Sequence, residues 1–111
     1  MKDQFEIWRC RFPEKGGEHP AILISHPDIC ARSAVVNVLF CTSQRQSRKP
    51  HHHEVMLDIE DGMDWASFCD CSCLYAVKSA DLFGQRGRVT LERRRAIREK
   101  VRELFLLMDT D

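Results

Sequence analysis

The sequence lacks long apolar runs and internal repeats. No apolar stretch approaches the roughly 18–20 residues of a membrane-spanning helix, so we expect no membrane contact. The first residues include acidic side chains and no uninterrupted apolar stretch, which is not typical of a secretory signal, and we expect a cytoplasmic protein. With 111 residues, 43% of them apolar, the chain predicts one folded domain over residues 1–111.

The sequence also lacks a net charge, because 17 Lys and Arg balance 17 Asp and Glu. The charges are nevertheless segregated along the chain. Residues 45–53 carry three basic side chains and no acid, residues 54–70 carry six acids and no Lys or Arg, and residues 78–102 carry nine basic side chains against three acids. The neutral total therefore excludes only a chain that is cationic throughout, and leaves a localised nucleic-acid surface possible.

Cysteine is the plentiful residue, with six in the chain. Without a secretory context an even count does not imply disulfides. Cys69, Cys71 and Cys73 alternate along a predicted strand, where residues two apart share a face. We predict that they are buried core residues; a metal or redox site is the alternative, although structural zinc sites usually space paired cysteines further apart.

Short β-rich segments and one terminal helix make up the predicted fold. The expected strands are 5–12, 21–25, 34–41, 54–59 and 67–77, with turns at 26–33 and a glycine-punctuated connection over 84–90. Ile97, Val101, Leu104 and Met108 recur at helical spacing, so we predict a helix from Leu91 to Met108 with Thr90 as its N-cap. The fold class is mostly β with a C-terminal helix, as a small barrel or strongly curled sheet.

The order of short motifs from residue 5 to about residue 107 resembles the MazF/PemK family of type II toxin–antitoxin ribonucleases. Each motif is weak alone, and their order and spacing carry the resemblance. The motifs are Phe5-Glu6-Ile7-Trp8 running to Phe12-Pro13; His19-Pro20-Ala21 with the apolar run to Ser25; Val35 to Cys41 leading into Thr42-Ser43-Gln44; Ser67-Phe68-Cys69-Asp70; Tyr75-Ala76-Val77; and Gly87-Arg88-Val89-Thr90 before the helix.

The resemblance implies a small SH3-like β-barrel of the type shared by MazF, PemK and CcdB toxins, usually a homodimer. It also implies metal-independent cleavage of single-stranded RNA at short sequences, restrained by a cognate antitoxin protein. We expect no cofactor and assign no metal ligand.

Two residues depart from the family pattern. Its opening Gly-Asp is Phe5-Glu6 here, and its catalytic Arg is His19. Imidazole lacks the bidentate guanidinium fork that binds a phosphate, but it transfers protons near neutral pH. The resemblance therefore implies His19 as acid or base and Thr42 as a phosphate-binding hydroxyl, in a reaction that the substitution could weaken. Without the resemblance, an exposed loop histidine and a strand-end threonine are the plain interpretations.

The segment after Thr42 supplies the expected RNA-binding residues. They are Ser43, Gln44, Arg45, Arg48, Lys49, His51 and His53. In the family this loop borders the RNA groove, so basic side chains would hold phosphates and rings would stack on unpaired bases. A solvated basic loop is the alternative. His51 and His53 could share one side of an extended segment, which by itself would make at best a partial metal site of low affinity.

A second hypothesis is a catalytically inactive member of the same fold that acts by binding a protein partner. The absence of the family's Arg at position 19 motivates it. RNA cleavage that depends on His19 and Thr42 would exclude it.

Overall fold

Six strands form one antiparallel sheet in the computed structural model, which describes residues 1–43 and 48–106. The sheet is curled into a half-barrel and closed by the C-terminal helix, as the predicted fold class requires. Its strand order is β4-β5-β3-β2-β1-β6. The strands are β1 (Glu6–Phe12), β2 (Gly17–Leu23), β3 (Val35–Ser43), β4 (Glu54–Leu57), β5 (Ser67–Lys78) and β6 (Phe83–Arg88); the helices are α1 (Pro27–Arg32) and α2 (Leu91–Leu104).

Strand β2 begins four residues earlier than the sequence predicts. A single 3₁₀ turn, Pro13–Lys15, connects β1 to β2, and Gly16 and Gly17 follow with φ of +86° and +120°. Glycine adopts these angles without a steric penalty, so the chain reverses immediately and pairs Gly17 with Phe12. The glycines therefore form a tight hairpin, and His19 lies in a strand where a loop was predicted.

Two further elements replace predicted turns and connections. Strand β6 pairs with β1 at the edge of the sheet, although its glycines suggested an irregular connection. Helix α1 lies in the predicted turn at 26–33, with Pro27 at its first position and the His26 ring accepting a hydrogen bond from the Asp28 N–H. Six residues are too few to show helical periodicity, which is why the sequence pattern missed this helix.

Apolar residues pack against both faces of the sheet. The helix-side core joins strand residues to α2 through Ile97, which is fully buried, and through Val101 and Leu104. The opposite core contains Phe12, Phe40 and seven other buried residues. Met108 lies outside the described residues, and α2 ends at Leu104. None of the described helices is long and apolar enough to cross a membrane.

The cysteines follow the core prediction with one exception. Cys69 and Cys71 are fully buried, whereas Cys73 is exposed and lies where the register between β5 and β3 shifts. Burial, together with the neighbouring Cys41 and Cys71, raises the pKa of the Cys69 thiol. Among residues 1–43 and 48–106, no group of metal-ligating side chains includes a cysteine. Cys69 and Cys71 are therefore small core side chains, as predicted, whereas the prediction is wrong for Cys73.

Phe5 adopts the backbone conformation that glycine favours. Its φ is +69°, and it occupies the position of the family's opening glycine. A left-handed backbone costs a non-glycine residue about 1–2 kcal/mol. Here the Phe5 N–H donates to the Leu23 carbonyl at 2.7 Å, its carbonyl accepts from the Val89 N–H at 3.0 Å, and its ring packs against the helix-side core. These contacts hold the residue in place and account for a phenylalanine at this position.

Thr90 is the N-cap residue of α2, as predicted, but a buried carboxylate and not the Thr90 side chain anchors the start of the helix. The Thr90 side chain makes no capping hydrogen bond. Asp61 is fully buried and accepts the Thr90 N–H at 2.9 Å and Arg93 Nη1 at 2.5 Å. Arg93 also forms a bidentate pair with Asp58, at 2.6 and 2.8 Å, and this hydrogen bonding lowers the pKa of Asp58 to about 2. Arg93 thus ties the helix to the turn that follows β4.

Candidate functional site

A row of side chains crosses one face of the sheet at the level of Thr42. Thr42 on β3 is opposite Phe68 on β5, and Phe68 is opposite Met56 on β4. Strands β2 and β3 pair as far as Ala21 with Phe40. His19 lies two residues before Ala21 on β2 and Thr42 two residues after Phe40 on β3, and the His19 ring contacts the Phe40 ring. Both predicted catalytic residues therefore lie two positions beyond the last β2–β3 pair, at the same end of that ladder.

His19 is held by an aromatic ring and by one hydrogen bond. Its imidazole centroid lies 4.8 Å from that of Phe40 and 6.4 Å from that of Phe12. Its Nε2 lies 2.8 Å from the Lys15 carbonyl oxygen. Because a carbonyl only accepts, Nε2 carries the hydrogen, and the lone pair of the neutral ring is on Nδ1. Nδ1 is therefore the atom available to accept a proton.

Lys15 adds a cation beside this histidine. The 3₁₀ turn folds back over the sheet and places Lys15 Nζ 5.4 Å from the centre of the Phe40 ring. The same ring contacts His19, so an ammonium group and an imidazole both contact Phe40. The sequence carried no signal for Lys15, because a lysine in a glycine-rich loop is typical of a solvated turn.

Thr42 is the second-to-last residue of β3. It is half-buried, and none of the described residues forms a hydrogen bond with its hydroxyl. A hydroxyl is both a donor and an acceptor, so it can bind a phosphate oxygen.

Arg48 is paired where the sequence suggested a free basic side chain. Its guanidinium donates from Nη1 and Nη2 to the two carboxylate oxygens of Glu54, at 2.9 and 3.0 Å. It also lies 4.2 Å from the centre of the Phe68 ring, in the cross-strand row. The hydrogen bond from Arg48 lowers the pKa of Glu54, whose side chain is only 6% exposed. The positive charge of Arg48 is therefore neutralised by the Glu54 carboxylate.

The other predicted RNA-binding residues are distributed around the row. Ser43 pairs with Ser67 and lines a cleft of about 220 Å³ that His19, Arg9, Arg86 and Trp65 also line. Within that cleft Arg86 is paired with Asp64. Lys49 and His51 are exposed, and His53 is half-buried with its ring 5.7 Å from that of His51. Gln44 and Arg45 lie outside the described residues.

The architecture is that of the MazF/PemK fold, and a sequence comparison identifies the family. A family model described as PemK-like, MazF-like toxin of type II toxin–antitoxin system matches residues 3–105. The chain therefore belongs to the PemK-like, MazF-like toxins of type II toxin–antitoxin systems. A comparison with curated protein sequences gives no match.

Solved structures of toxins share the fold at low sequence identity. An endoribonuclease in complex with its cognate antitoxin, from a mycobacterial species, is 15% identical with a TM-score of 0.81, over 99% of this chain and 100% of that one. A MazF toxin of Mycobacterium tuberculosis is 18% identical with a TM-score of 0.78, over 93% and 98%. A MazE–MazF structure from Deinococcus radiodurans is 18% identical with a TM-score of 0.70, over 96% of each chain. At these identities the likeness establishes the fold.

Proposed function

We propose that this chain is an endoribonuclease that cleaves single-stranded RNA by attack of a 2′-hydroxyl, with no metal among the reacting groups. The observation that carries the proposal is that the His19 imidazole and the Lys15 ammonium both contact the Phe40 ring, two residues before Thr42 on β3. A proton acceptor, a hydroxyl donor and a cation on one face are the groups that phosphodiester transesterification needs.

The proposed reaction forms one bond and breaks one. The 2′-oxygen attacks the adjacent phosphorus while His19 Nδ1 takes its proton, and the bond from phosphorus to the 5′-oxygen breaks. The protonated ring returns the proton to the departing 5′-oxygen, directly or through a water molecule, which leaves a 2′,3′-cyclic phosphate and a 5′-hydroxyl. The Thr42 hydroxyl donates to a non-bridging phosphate oxygen.

Lys15 is the candidate for the charge that the family's Arg would supply. Charge accumulates on the phosphate oxygens during attack, and an imidazole occupied with proton transfer does not balance it. Lys15 Nζ contacts the same Phe40 ring as His19, and Phe40 is two residues before Thr42 on β3. A lysine provides a point charge and no fork, so we expect slower cleavage than a guanidinium would support.

The bound strand would follow the segment after Thr42. Phe68 offers a ring beneath Arg48, Lys49 and His51 add exposed polar groups, and His53 adds a half-buried one. Ser43 would contact RNA in the cleft, and Gln44 and Arg45 continue the basic segment. Since the chain is neutral overall, we expect RNA binding to be weak at physiological salt.

We further propose that the chain acts as one domain in the cytoplasm, as a homodimer controlled by a cognate antitoxin. Family membership supports this assembly, and the mycobacterial endoribonuclease of the same fold was solved with its cognate antitoxin.

A cleavage assay with Thr42→Val tests the proposed function. In EDTA the wild-type protein is expected to cut a long mixed-sequence RNA and leave 2′,3′-cyclic phosphate ends. Thr42→Val keeps the side-chain shape and removes the hydroxyl, so the single-turnover rate is expected to fall about 10²-fold. Thr90→Val is the matched control, because the Thr90 side chain makes no capping hydrogen bond. A wild-type protein that cuts no RNA would favour the inactive, partner-binding hypothesis.

Lys15→Met is expected to lower the single-turnover cleavage rate at least about 10-fold, since methionine keeps the length of the side chain and removes its charge. The His19 hydrogen bond goes to the Lys15 backbone carbonyl and survives the change. Lys15→Arg should restore cleavage. Lys2→Met is the control, because Lys2 makes a comparable contact 4.7 Å from the Trp8 ring. Equal rates for both methionine variants would remove Lys15 from the mechanism.

A further inference from the structure

Three metal-ligating side chains meet beside the cross-strand row, at the start of β4. One ligand atom each from His51, His53 and Glu54 lies within 4.8 Å of the other two. His51 Nδ1 is 3.4 Å from Glu54 Oε1. Two ligands bound at roughly 2.0–2.1 Å to a tetrahedral zinc ion are about 3.4 Å apart, so this pair already has the spacing of a shared ion.

The backbone holds these side chains together. The Glu54 N–H donates to the His51 carbonyl at 3.0 Å, and the His51 N–H donates to Glu54 Oε1 at 2.8 Å, which closes the segment into a turn. The His53 carbonyl accepts the Cys71 N–H at 2.9 Å, which ties the segment to β5. From the sequence, only His51 and His53 were expected to share one side of the segment. In the structure, the turn places Glu54 beside them, and the Glu54 side chain is 6% exposed.

The donor set selects a class of ion. Two imidazoles and one carboxylate with a fourth position open are suited to zinc and to similar transition ions, whereas magnesium prefers oxygen ligands and octahedral geometry. The buried cysteines belong to the core and are not part of this group.

Arg48 competes for the same carboxylate. Both Glu54 oxygens accept hydrogen bonds from Arg48, at 2.9 and 3.0 Å. An ion that binds Glu54 takes over one of these oxygens and repels the guanidinium, so the pair and the ion exclude each other. Freed from Glu54, Arg48 remains beside Phe68 and can bind a phosphate.

We propose that His51, His53 and Glu54 form a zinc-binding site, and that zinc releases Arg48 from Glu54 and so strengthens RNA binding. Zinc here regulates the site and takes no part in the cleavage step. The effect on RNA rests on the proposed function, whereas the zinc site and its competition with Arg48 do not.

Zinc titration of the chelator-treated protein tests the site. Wild type is expected to bind one zinc ion and no magnesium, and its cobalt form should show tetrahedral absorption without a thiolate charge-transfer band. His51→Ala and His53→Ala should each weaken zinc binding at least about 10-fold. His52→Ala is the matched control, since His52 lies between the two ligands but bonds to Glu103 at 2.7 Å. Absence of stoichiometric zinc, or an equal loss in His52→Ala, would overturn the proposal.

Arg48→Met tests the competition without RNA. Removal of the competing cation is expected to tighten zinc binding by about 10-fold, and unchanged zinc affinity would contradict the proposed exclusion. With RNA, zinc should strengthen binding to wild type and have no effect on Arg48→Met. If zinc binds and Arg48→Met tightens it while no RNA binds under any condition, the zinc site stands and the ribonuclease proposal fails.

Discussion

His19→Ala is expected to lower the single-turnover rate of RNA cleavage by about 10²–10⁴-fold, the usual contribution of a positioned acid or base. The substitution removes Nδ1, the atom proposed to take the 2′-hydroxyl proton, and frees the Lys15 carbonyl from its hydrogen bond. The measurement is cleavage of a mixed-sequence RNA in EDTA with protein in excess. A variant that cuts as fast as wild type would exclude His19 from the reaction.

Two further substitutions separate proton transfer from loss of structure. His19→Gln places an amide N–H near the position of Nε2, so it can still donate to the Lys15 carbonyl but cannot transfer a proton; we expect it to be as slow as His19→Ala. His19→Arg introduces the family's guanidinium, and we expect cleavage at or above the wild-type rate because a bidentate fork stabilises the phosphate directly. A fast His19→Gln variant would indicate that position 19 acts only through the hairpin.

Arg93→Ala is expected to destabilise the folded chain by about 2–4 kcal/mol, because it leaves the Asp61 carboxylate buried without its cation. The Asp61 side chain is fully buried, while the Arg93 side chain is 21% exposed. We therefore expect a smaller loss of unfolding free energy than for a pair in which both side chains are fully buried. The loss is measured by urea unfolding at neutral pH.

The same helix supplies the control for this prediction. Arg95 is exposed on α2 and has no ion-pair partner in the part of the chain that the structure describes, so Arg95→Ala should change stability by less than about 0.5 kcal/mol. Adding Asp61→Asn to Arg93→Ala should recover part of the loss, since a neutral amide is less costly to bury than an unpaired charge. If Arg93→Ala and Arg95→Ala are equally stable, the buried pair has no role in anchoring α2.

Local patterns predicted most of the strands because each has an apolar face of period two or a continuous apolar run. Ala21, Ile22 and Leu23 are fully buried, as their continuous run suggested. Local sequence patterns did not predict a strand where pairing with a neighbouring strand determines the secondary structure. Strand β6 has no apolar alternation and forms by pairing with β1, and His19 belongs to β2 because Gly16 and Gly17 allow an immediate reversal.

Some residues of the candidate site were also predicted from the sequence, and others were found only in the structure. Motif order suggested Thr42 and His19, and the structure places the His19 ring against Phe40, two residues before Thr42 on β3. Only the structure assigns three further residues to the site, through contacts between residues that are distant in the sequence or separated by a turn. These residues are Lys15, Glu54 and Phe68. No local pattern shows that Arg48 is neutralised, since its partner is six residues away across a loop.

The sequence by itself determined the family, the mostly-β class with a terminal helix, and the two residues proposed to carry the reaction. It could do so because motif order and side-chain periodicity are properties of the chain alone. Only the tertiary structure decided which charges are free, which lone pair of His19 is available and which ligands meet at Glu54. Those properties depend on distances between strands and loops, and such distances are set when the sheet curls and the hairpins close.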